Sequence, residues 1–281
     1  MRVLVTGCNG QLGRAIRAEL GPDGADWVDL PDLDISDVAS VDAWFAAHGP
    51  YEVVYNCAAF TNVDGCEADF PAAFAANALG PMNLARACAA CGATLVHVST
   101  DYVFPGNEPG ERVETDVPAP ISAYGRSKLA GEGLALASNP RTHVVRTAWL
   151  YGEGKNFVRT MLSLADRFDE VTVVDDQLGN PTSATDLARQ LLQIAQREEY
   201  GVWHCTNEGT CSWADLAQAA FELTGVSCTV KRCTSAEWKR MHPESANRPA
   251  FSSLRNARLE ATIGNDMRPW REALAEYLGG C

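Results

Sequence analysis

The chain predicts an α/β protein, a doubly wound parallel sheet with a smaller, interleaved C-terminal lobe. Three observations lead there. Short apolar runs rich in Val, Thr and Tyr alternate with amphipathic stretches through the first half, the pattern of repeated βαβ units. A glycine-rich turn, GCNGQLG, stands between the first such run and the first helical stretch. From about Tyr151 the alternation loosens and Pro and Arg become frequent, as in HPESANRPAFSSLRNARL. These features divide the chain into a main sheet unit over 1–150, with 183–204 expected to return to it, and a lobe over 151–281.

Taken in order, MRVLVTG reads as a buried strand and QLGRAIRAEL as the helix after it. GADWVDL is the second strand, followed by a helix over DVASVDAWFAAHG that Ser36 or Asp37 caps. YEVVYNCA is a strand, PAAFAANALGPMNLARACAACG a longer helix and ATLVHVST the fourth strand. AYGRSKLAGEGLALA is a helix and THVVRTAWLYG a strand. Right-handed crossovers between such units wind helices onto both faces of one sheet. In the second half, FVRTMLSLADRF, EVTVVDDQLGNPTS, ATDLARQLLQIAQ, GVWHCTNEG and SWADLAQAAFELTG mix helices and strands less regularly.

Composition narrows the function. The net charge of −13 over 281 residues argues against a nucleic-acid footprint, which needs a basic stripe. It leaves room for a phosphorylated metabolite, because helix N-termini and local cations bind phosphate inside acidic proteins. The opening residues lack a basic stretch leading into an apolar one, and no apolar run is long enough to span a bilayer. A cytoplasmic protein without membrane contact is the expectation. The ten cysteines lie in apolar contexts and read as small core residues; Cys88 and Cys91 form one CxxC without a second pair, so no metal is expected.

In GCNGQLG, Gly7, Gly10 and Gly13 permit a tight turn and a close backbone approach, and the helix N-terminus would face a pyrophosphate. In this strand–turn–helix context 1–150 reads as a dinucleotide-binding domain. A glycine turn of purely structural purpose is the plainer alternative. After the second strand, DLPDLDISD offers Asp34 to ribose hydroxyls or simply to a solvated capping loop, and both stay open.

The helix after the fourth strand carries Gly125 and Gly131, each costing about 1 kcal/mol against Ala. A cofactor or neighbouring helix coming close would explain both. The same helix sets Tyr124 and Lys128 on one face, one turn apart. A free phenol titrates near about 10, and a nearby ammonium is expected to lower it into a useful range. Alone the pair could be a surface coincidence. Its position tells more: the fourth strand ends at Ser99, Thr100 and Asp101, and open α/β sheets bind ligands at the carboxyl ends of their strands.

Together the glycine turn, NCAAFTNVDGCE, STDYVF, the YxxxK pair, RTAWLYG, DDQLGNPTSATDLA and NRPAFSSL resemble the extended short-chain dehydrogenase/reductases, in order and over nearly the whole chain. More closely they resemble the branch that reduces dTDP-linked 4-keto-6-deoxy sugars with NADPH or NADH. The resemblance implies that Gly7, Gly10, Gln11, Leu12 and Gly13 hold the pyrophosphate, that Asp34 and Ile35 flank the adenosine, and that Ala58, Ala59 and Thr61 border the cofactor. Tyr124 would donate the proton, with Lys128 beside it at the cofactor and Thr100 on the same oxygen. Val63, Asp101 and Trp149 would touch the sugar nucleotide, and so would Asn156, Gln177 and Arg248 from the smaller lobe. Phe60 and Trp203 depart from residues common in the family. Some members hold a metal at the dimer contact through a carboxylate where Ala15 stands here, so no metal is implied; a homodimer stays open.

Two alternatives remain. Similar nucleotide-sugar dehydratases and epimerases place Asp–Glu directly after the Thr, whereas Thr100 is followed by Asp101 and Tyr102. The regulatory subunit of methionine adenosyltransferase resembles the same family and binds a dinucleotide without catalysis; the intact Thr100, Tyr124 and Lys128 favour an enzyme.

Overall fold

The computed structural model describes residues 2–279. Met1, at the head of the expected first strand, and Gly280 and Cys281, at the end of the expected lobe, lie outside them.

The first half runs β1 (Val3–Thr6), α1 (Gln11–Leu20), β2 (Asp26–Val28), α2 (Val38–His48) and β3 (Val53–Asn56). Then follow α3 (Val63–Ala68), α4 (Phe70–Phe74), a π-helical turn over Ala75–Leu79, α5 (Gly80–Cys91), β4 (Thr94–Thr100), α6 (Ala123–Ser138) and β5 (Thr142–Thr147). The expected long helix after β3 is thus one helical path broken by a π turn. Beyond it come β6 (Leu150–Tyr151), α7 (Phe157–Ala165), β7 (Glu170–Val174), β8 (Leu178–Gly179), β9 (Thr182–Ser183), α8 (Ala184–Ile194) and β10 (Gly201–His204). The chain closes with β11 (Cys211–Ser212), α9 (Trp213–Thr224), β12 (Thr229–Cys233), α10 (Ser235–Met241), α11 (Ala257–Ala261) and α12 (Trp270–Gly279).

Six strands form one parallel sheet in the order β10-β5-β4-β3-β1-β2. Alternate residues of each strand enter opposite cores. Val3 and Val5 of β1 join Val53, Tyr55, Val96 and Val145 against α1 and α8, whereas Leu4, Val54 and Leu95 meet Leu84 and Ala85 of α5. Burial on both faces is why the strands read as unbroken apolar runs. Trp203 of β10 lies in the first of these cores, fully buried. Strand order reverses between β1 and β3, and that reversal opens a crevice at the carboxyl ends of the strands.

The remaining elements build a second set of cores. β7 and β12 pair in parallel, and Val171 and Val173 pack with Met161 of α7 and Phe221 of α9. Tyr151, Leu216, Trp270 and Leu274 form a neighbouring cluster. Among the described residues no helix is long and apolar enough to cross a membrane.

Under the crevice lies a buried ion pair. Glu132 of α6 takes a bidentate grip from Arg146 of β5, Nη2 to Oε2 at 2.7 Å and Nε to Oε1 at 3.0 Å, and Ser99 of β4 donates to Oε1 at 2.5 Å. Both charged side chains are 3–4% exposed. On the far side Arg146 reaches His204 of β10 at 3.4 Å and lies over Phe104.

Removing one partner of such a pair leaves the other charge buried and unmatched, a loss of about 3–5 kcal/mol. Glu132→Gln is therefore expected to lower the urea unfolding midpoint sharply; an unmoved midpoint would show that the pair does not brace the fold.

Candidate active site

The cleft at the carboxyl ends of β1, β3, β4 and β5 has a volume of about 1180 Å³, above the usual range of about 300–1,000 Å³ for sites that take one small ligand. Gly7, Gly10, Gln11, Leu12, Gly13, Asp34, Ile35, Ala58, Ala59, Thr61 and Val63 line it, with Thr100, Asp101, Tyr124, Lys128 and Trp149.

The three turn glycines serve different needs. Gly7 has φ +68°, and a Cβ there would lie 2.6 Å from the Ala58 nitrogen; one on Gly13 would lie 2.5 Å from Cys8 Cα. The fold itself excludes side chains at both. At Gly10 the nearest atom would be the Gly7 carbonyl oxygen at 3.3 Å, a tight contact that a shift of a few tenths of an ångström would relieve, so packing demands this glycine far less than the other two. Gly10 caps α1 without a side-chain hydrogen bond, leaving first-turn N–H groups for an anion. Gln11 Oε1 is buried without a partner. An open glycine, an uncapped helix start and an orphaned acceptor fit a dinucleotide pyrophosphate with its neighbouring groups.

Beside the turn, Asp29 Oδ2 accepts from the Asn9 amide at 3.0 Å. Arg14 is committed to the Asn9 carbonyl at 2.9 Å and to Glu153 at 2.5 Å. Asp34 Oδ1 accepts from both the amide and the hydroxyl of Ser36, while Asp37, not Ser36, caps α2. Asp34 thus borders the cleft with one oxygen already engaged in its own loop.

Below Ala58 and Ala59, Asn56 Oδ1 accepts from Thr6 Oγ1 at 2.8 Å and from the Ala58 amide at 3.2 Å, and its amide nitrogen meets His97 Nδ1 at 3.1 Å. Burial, and Lys128 after it, push His97 well below the usual range, so it stays neutral. Further along, Asn77 in the π turn holds both the amide and carbonyl of Phe60 and donates to Ser127 of α6. Single π turns of this kind recur at functional sites.

Helix α6 is pressed against these pieces. A Cβ on Gly125 would stand 2.2 Å from the Tyr102 carbonyl oxygen, and one on Gly131 2.1 Å from that of Asn77. Protein backbone, not cofactor, explains both glycines. Ser122 caps the helix, Tyr124 packs edge-on to Tyr102 at 5.7 Å, and Lys128 Nζ donates to the Val98 carbonyl of β4 at 2.6 Å.

The electrostatics differ from the expected picture of an ammonium lowering the phenol. Burial raises Tyr124 above its ordinary value; the Thr100 hydrogen bond offsets this in part, and Asp101 and Cys66 add to it. Burial also lowers Lys128 to about 8, against the pull of Glu132 and Cys57. Asp101, 2% exposed, is raised to about 7 by burial, offset in part by the nearby Ser252 and Thr100 hydroxyls and the backbone. Thr100 donates to its Oδ1 at 2.9 Å, while Oδ2 has no partner.

Three expected substrate contacts lie off the cleft lining. The Asn156 carboxamide donates to the carbonyls of Gly152 and Gly154 and to the Tyr277 hydroxyl, and accepts from the Arg159 amide as the cap of α7. Gln177 donates to Ser235 Oγ at 2.9 Å. Arg248 pairs loosely with Asp64 at 3.5 Å and reaches Tyr102, a residue of the cleft wall. The cleft also holds residues that motif spacing did not single out: Thr147, whose Oγ1 is buried and unpartnered, Lys155 in the loop after β6, and Trp213. A threonine ending a central strand and a lysine in GEGKN were the available signals. The nine described cysteines are unpaired; Cys88 is buried and Cys91 exposed.

Such a cleft, with a hydroxyl at a strand end and a Tyr–Lys helix beside an open dinucleotide turn, is that of a short-chain dehydrogenase/reductase of the extended type. Residues 1–280 match the family model described as the RmlD substrate binding domain, and the chain belongs to that family. The dTDP-4-dehydrorhamnose reductase of Mycobacterium tuberculosis is 44% identical over 99% of this chain and 92% of that protein. The crystal structure of a dTDP-4-dehydrorhamnose reductase from Clostridium acetobutylicum matches at 47% identity with a TM-score of 0.94, covering 99% of each chain. That of Bacillus anthracis, in complex with NADP, matches at 35% identity and a TM-score of 0.94 over 100% of this chain and 99% of its own.

Gly10→Val is expected to keep the thermal midpoint and lose most NADPH affinity in a fluorescence titration, because the new side chain meets the pyrophosphate rather than the fold. Wild-type affinity in this variant would remove the turn from the cofactor site.

Asp101 gives a pH test on stability. Its folded pKa lies above the ordinary carboxylate value of about 4, so its contribution favours the fold fully below that value and is lost as pH rises through about 7. Between about pH 5 and about pH 8 the wild type should lose thermal stability relative to Asp101→Asn. Parallel melting curves would contradict the raised carboxyl.

Proposed function

We propose that this protein reduces the 4-keto group of dTDP-6-deoxy-L-lyxo-4-hexulose to dTDP-L-rhamnose with NADPH or NADH, a step in building cell-surface polysaccharide precursors. The observation that carries the reading is the convergence of Thr100, Asp101, Tyr124 and Lys128 at the end of β4, in the same cleft as the open turn at Gly10. The names of the relatives support the substrate.

The reduced nicotinamide, when bound, supplies the hydride that C4 gains. The chain's own residues handle the oxygen. Tyr124, kept protonated at neutral pH by burial, donates its proton to the developing alkoxide. The Thr100 hydroxyl, which donates to Asp101 Oδ1 at 2.9 Å, would turn its proton to the same oxygen and steady it. Lys128 is fixed by the Val98 carbonyl. Its ammonium holds the nicotinamide ribose. Asp34 and Ile35 flank the adenosine, and Ala58, Ala59 and Thr61 border the cofactor. Val63, Asp101 and Trp149 contact the sugar nucleotide. Its pyrophosphate needs a cation: Arg248, whose 3.5 Å contact with Asp64 is weak enough to yield, is one, and Lys155, without ion pair or hydrogen bond among the described residues, is a second. Asn156 and Gln177 act one step back, by setting the loops around the site. The same reading places the enzyme in the cytoplasm with no nucleic-acid partner, and a homodimer is compatible with it.

Elimination chemistry is disfavoured here. Glu132, on the helix of Tyr124 and Lys128, is spent on Arg146 and Ser99, so it offers no second carboxylate beside Asp101.

The direct test is oxidation of NADPH or NADH in the presence of the purified keto-sugar nucleotide, with product identification; no turnover with either cofactor overturns the reading. Tyr124→Phe should lower kcat about 10²–10⁴-fold with little change in NADPH affinity. In the wild type, kcat/KM should fall as pH rises through about 8, where Lys128 loses its charge. In Lys128→Met that limb should vanish and cofactor binding weaken; an identical pH profile would assign the limb to another group.

A further inference from the structure

Among the described residues, Trp149 is the only non-glycine residue with positive φ, +46°. For a bulky side chain this is an uncommon backbone state, and such strain persists only where the surroundings over-determine it. Here they do. Trp213 stacks on Trp149 with ring centroids 3.6 Å apart and planes 7° from parallel. Gly179 presses from another side: a Cβ there would lie 2.5 Å from Trp149 Cε2. The Trp149 carbonyl accepts from the Thr182 amide.

Trp213 is itself braced. It opens α9 directly after Ser212, whose hydroxyl accepts from the Asp215 amide at 3.0 Å and donates to Asp175 at 2.7 Å. The Asp215 carboxylate returns to the Ser212 amide, completing a capping box. Phe157 packs on Trp213 at 4.6 Å. Both indoles line the cleft. The 3.6 Å stack admits no ring between them, so a ligand can meet only the opposite face and edge of Trp149. The Trp149 indole N–H has no partner among the described residues.

We propose that Trp213, backed by Phe157 and helped by Gly179, is a positioning residue that holds the Trp149 indole as an apolar wall with an unspent N–H donor against the deoxy-sugar half of the substrate. The inference rests on the reading under Proposed function. A 6-deoxy-hexulose presents a C–H-rich face and a methyl group beside hydroxyls, which suits an indole face with a free donor at its edge. Trp213 acts through Trp149, so its loss should be felt in substrate binding and not in cofactor binding.

The test uses the full-length enzyme, after wild-type turnover of the keto-sugar nucleotide has been measured; absence of that turnover refutes the functional reading and not the positioning. In Trp213→Ala, KM for the keto-sugar should rise about tenfold, which is about 1.4 kcal/mol, a size typical of one aromatic pair. NADPH affinity should hold. The circular-dichroism couplet of the stacked indoles should disappear. Trp213→Phe should lose the couplet too, yet bring KM back to within about threefold of wild type, because a ring still backs Trp149. Gly179→Ala, whose Cβ would press first on Trp149, should raise KM as Trp213→Ala does. A merely structural role would lower the melting temperature and weaken sugar and cofactor binding together. That pattern, or an unchanged KM in a folded Trp213→Ala, overturns the proposal. If Trp213→Ala does not fold, an unchanged KM in Gly179→Ala overturns it equally.

Discussion

The Glu132–Arg146 pair is the constraint on which the site depends. A buried ion pair is seldom a net source of stability, because desolvation of two charges offsets most of their attraction. What it supplies here is registration. Glu132 belongs to the helix that carries Tyr124 and Lys128, and Arg146 immediately precedes Thr147 and lies three residues before Trp149. Ser99, which completes the coordination of Glu132, precedes Thr100 and Asp101. One bidentate contact with fixed geometry thus locks α6, β4 and β5, the three elements that bring the chemistry together. Arg146 also lowers His204 after burial has done so, to about 3, which keeps the β10 edge of this network uncharged.

Glycine makes that registration close-fitting. With a Cβ at Gly125 or Gly131, α6 could not approach the Tyr102 and Asn77 carbonyls. Asn77 in turn links Phe60 of the loop after β3 to Ser127, and the Ser127 hydroxyl donates back to the Tyr124 carbonyl at 2.9 Å. The loop after β3 and the helix that carries Tyr124 are therefore tied through one carboxamide. Helix propensity lost at two glycines, about 1 kcal/mol each, is the local cost of contacts that set the position of Tyr124.

Much of this was legible in the sequence. The strand–turn–helix around Gly7, Gly10 and Gly13 is local, and so is the one-turn spacing of Tyr124 and Lys128; local periodicity and turn chemistry report them directly. The strand-end location of Thr100 followed from the βαβ pattern. Contacts between residues far apart in sequence were not legible. Nothing in GEGLALA marks Glu132 as the partner of Arg146, and nothing in CSWADLA places Trp213 on Trp149. Asn156 and Gln177 show why a motif does not report where a side chain points: Asn156 uses its side chain to cap α7 and order the loop before it, and Gln177 reaches Ser235.

The electrostatics of the cleft keep Tyr124 protonated in the resting enzyme, by burial rather than through a neighbouring cation. A reducing enzyme must keep a proton on its donor until charge develops on the substrate oxygen. Burial would do this for Tyr124, the proposed donor, by disfavouring the phenolate. The same burial holds Lys128 at about 8, where it is still charged at neutral pH but easily perturbed. An ammonium in this place would gain most from negative charge that develops nearby as the substrate reacts. Interactions that strengthen only as the reaction proceeds are the ones that accelerate it.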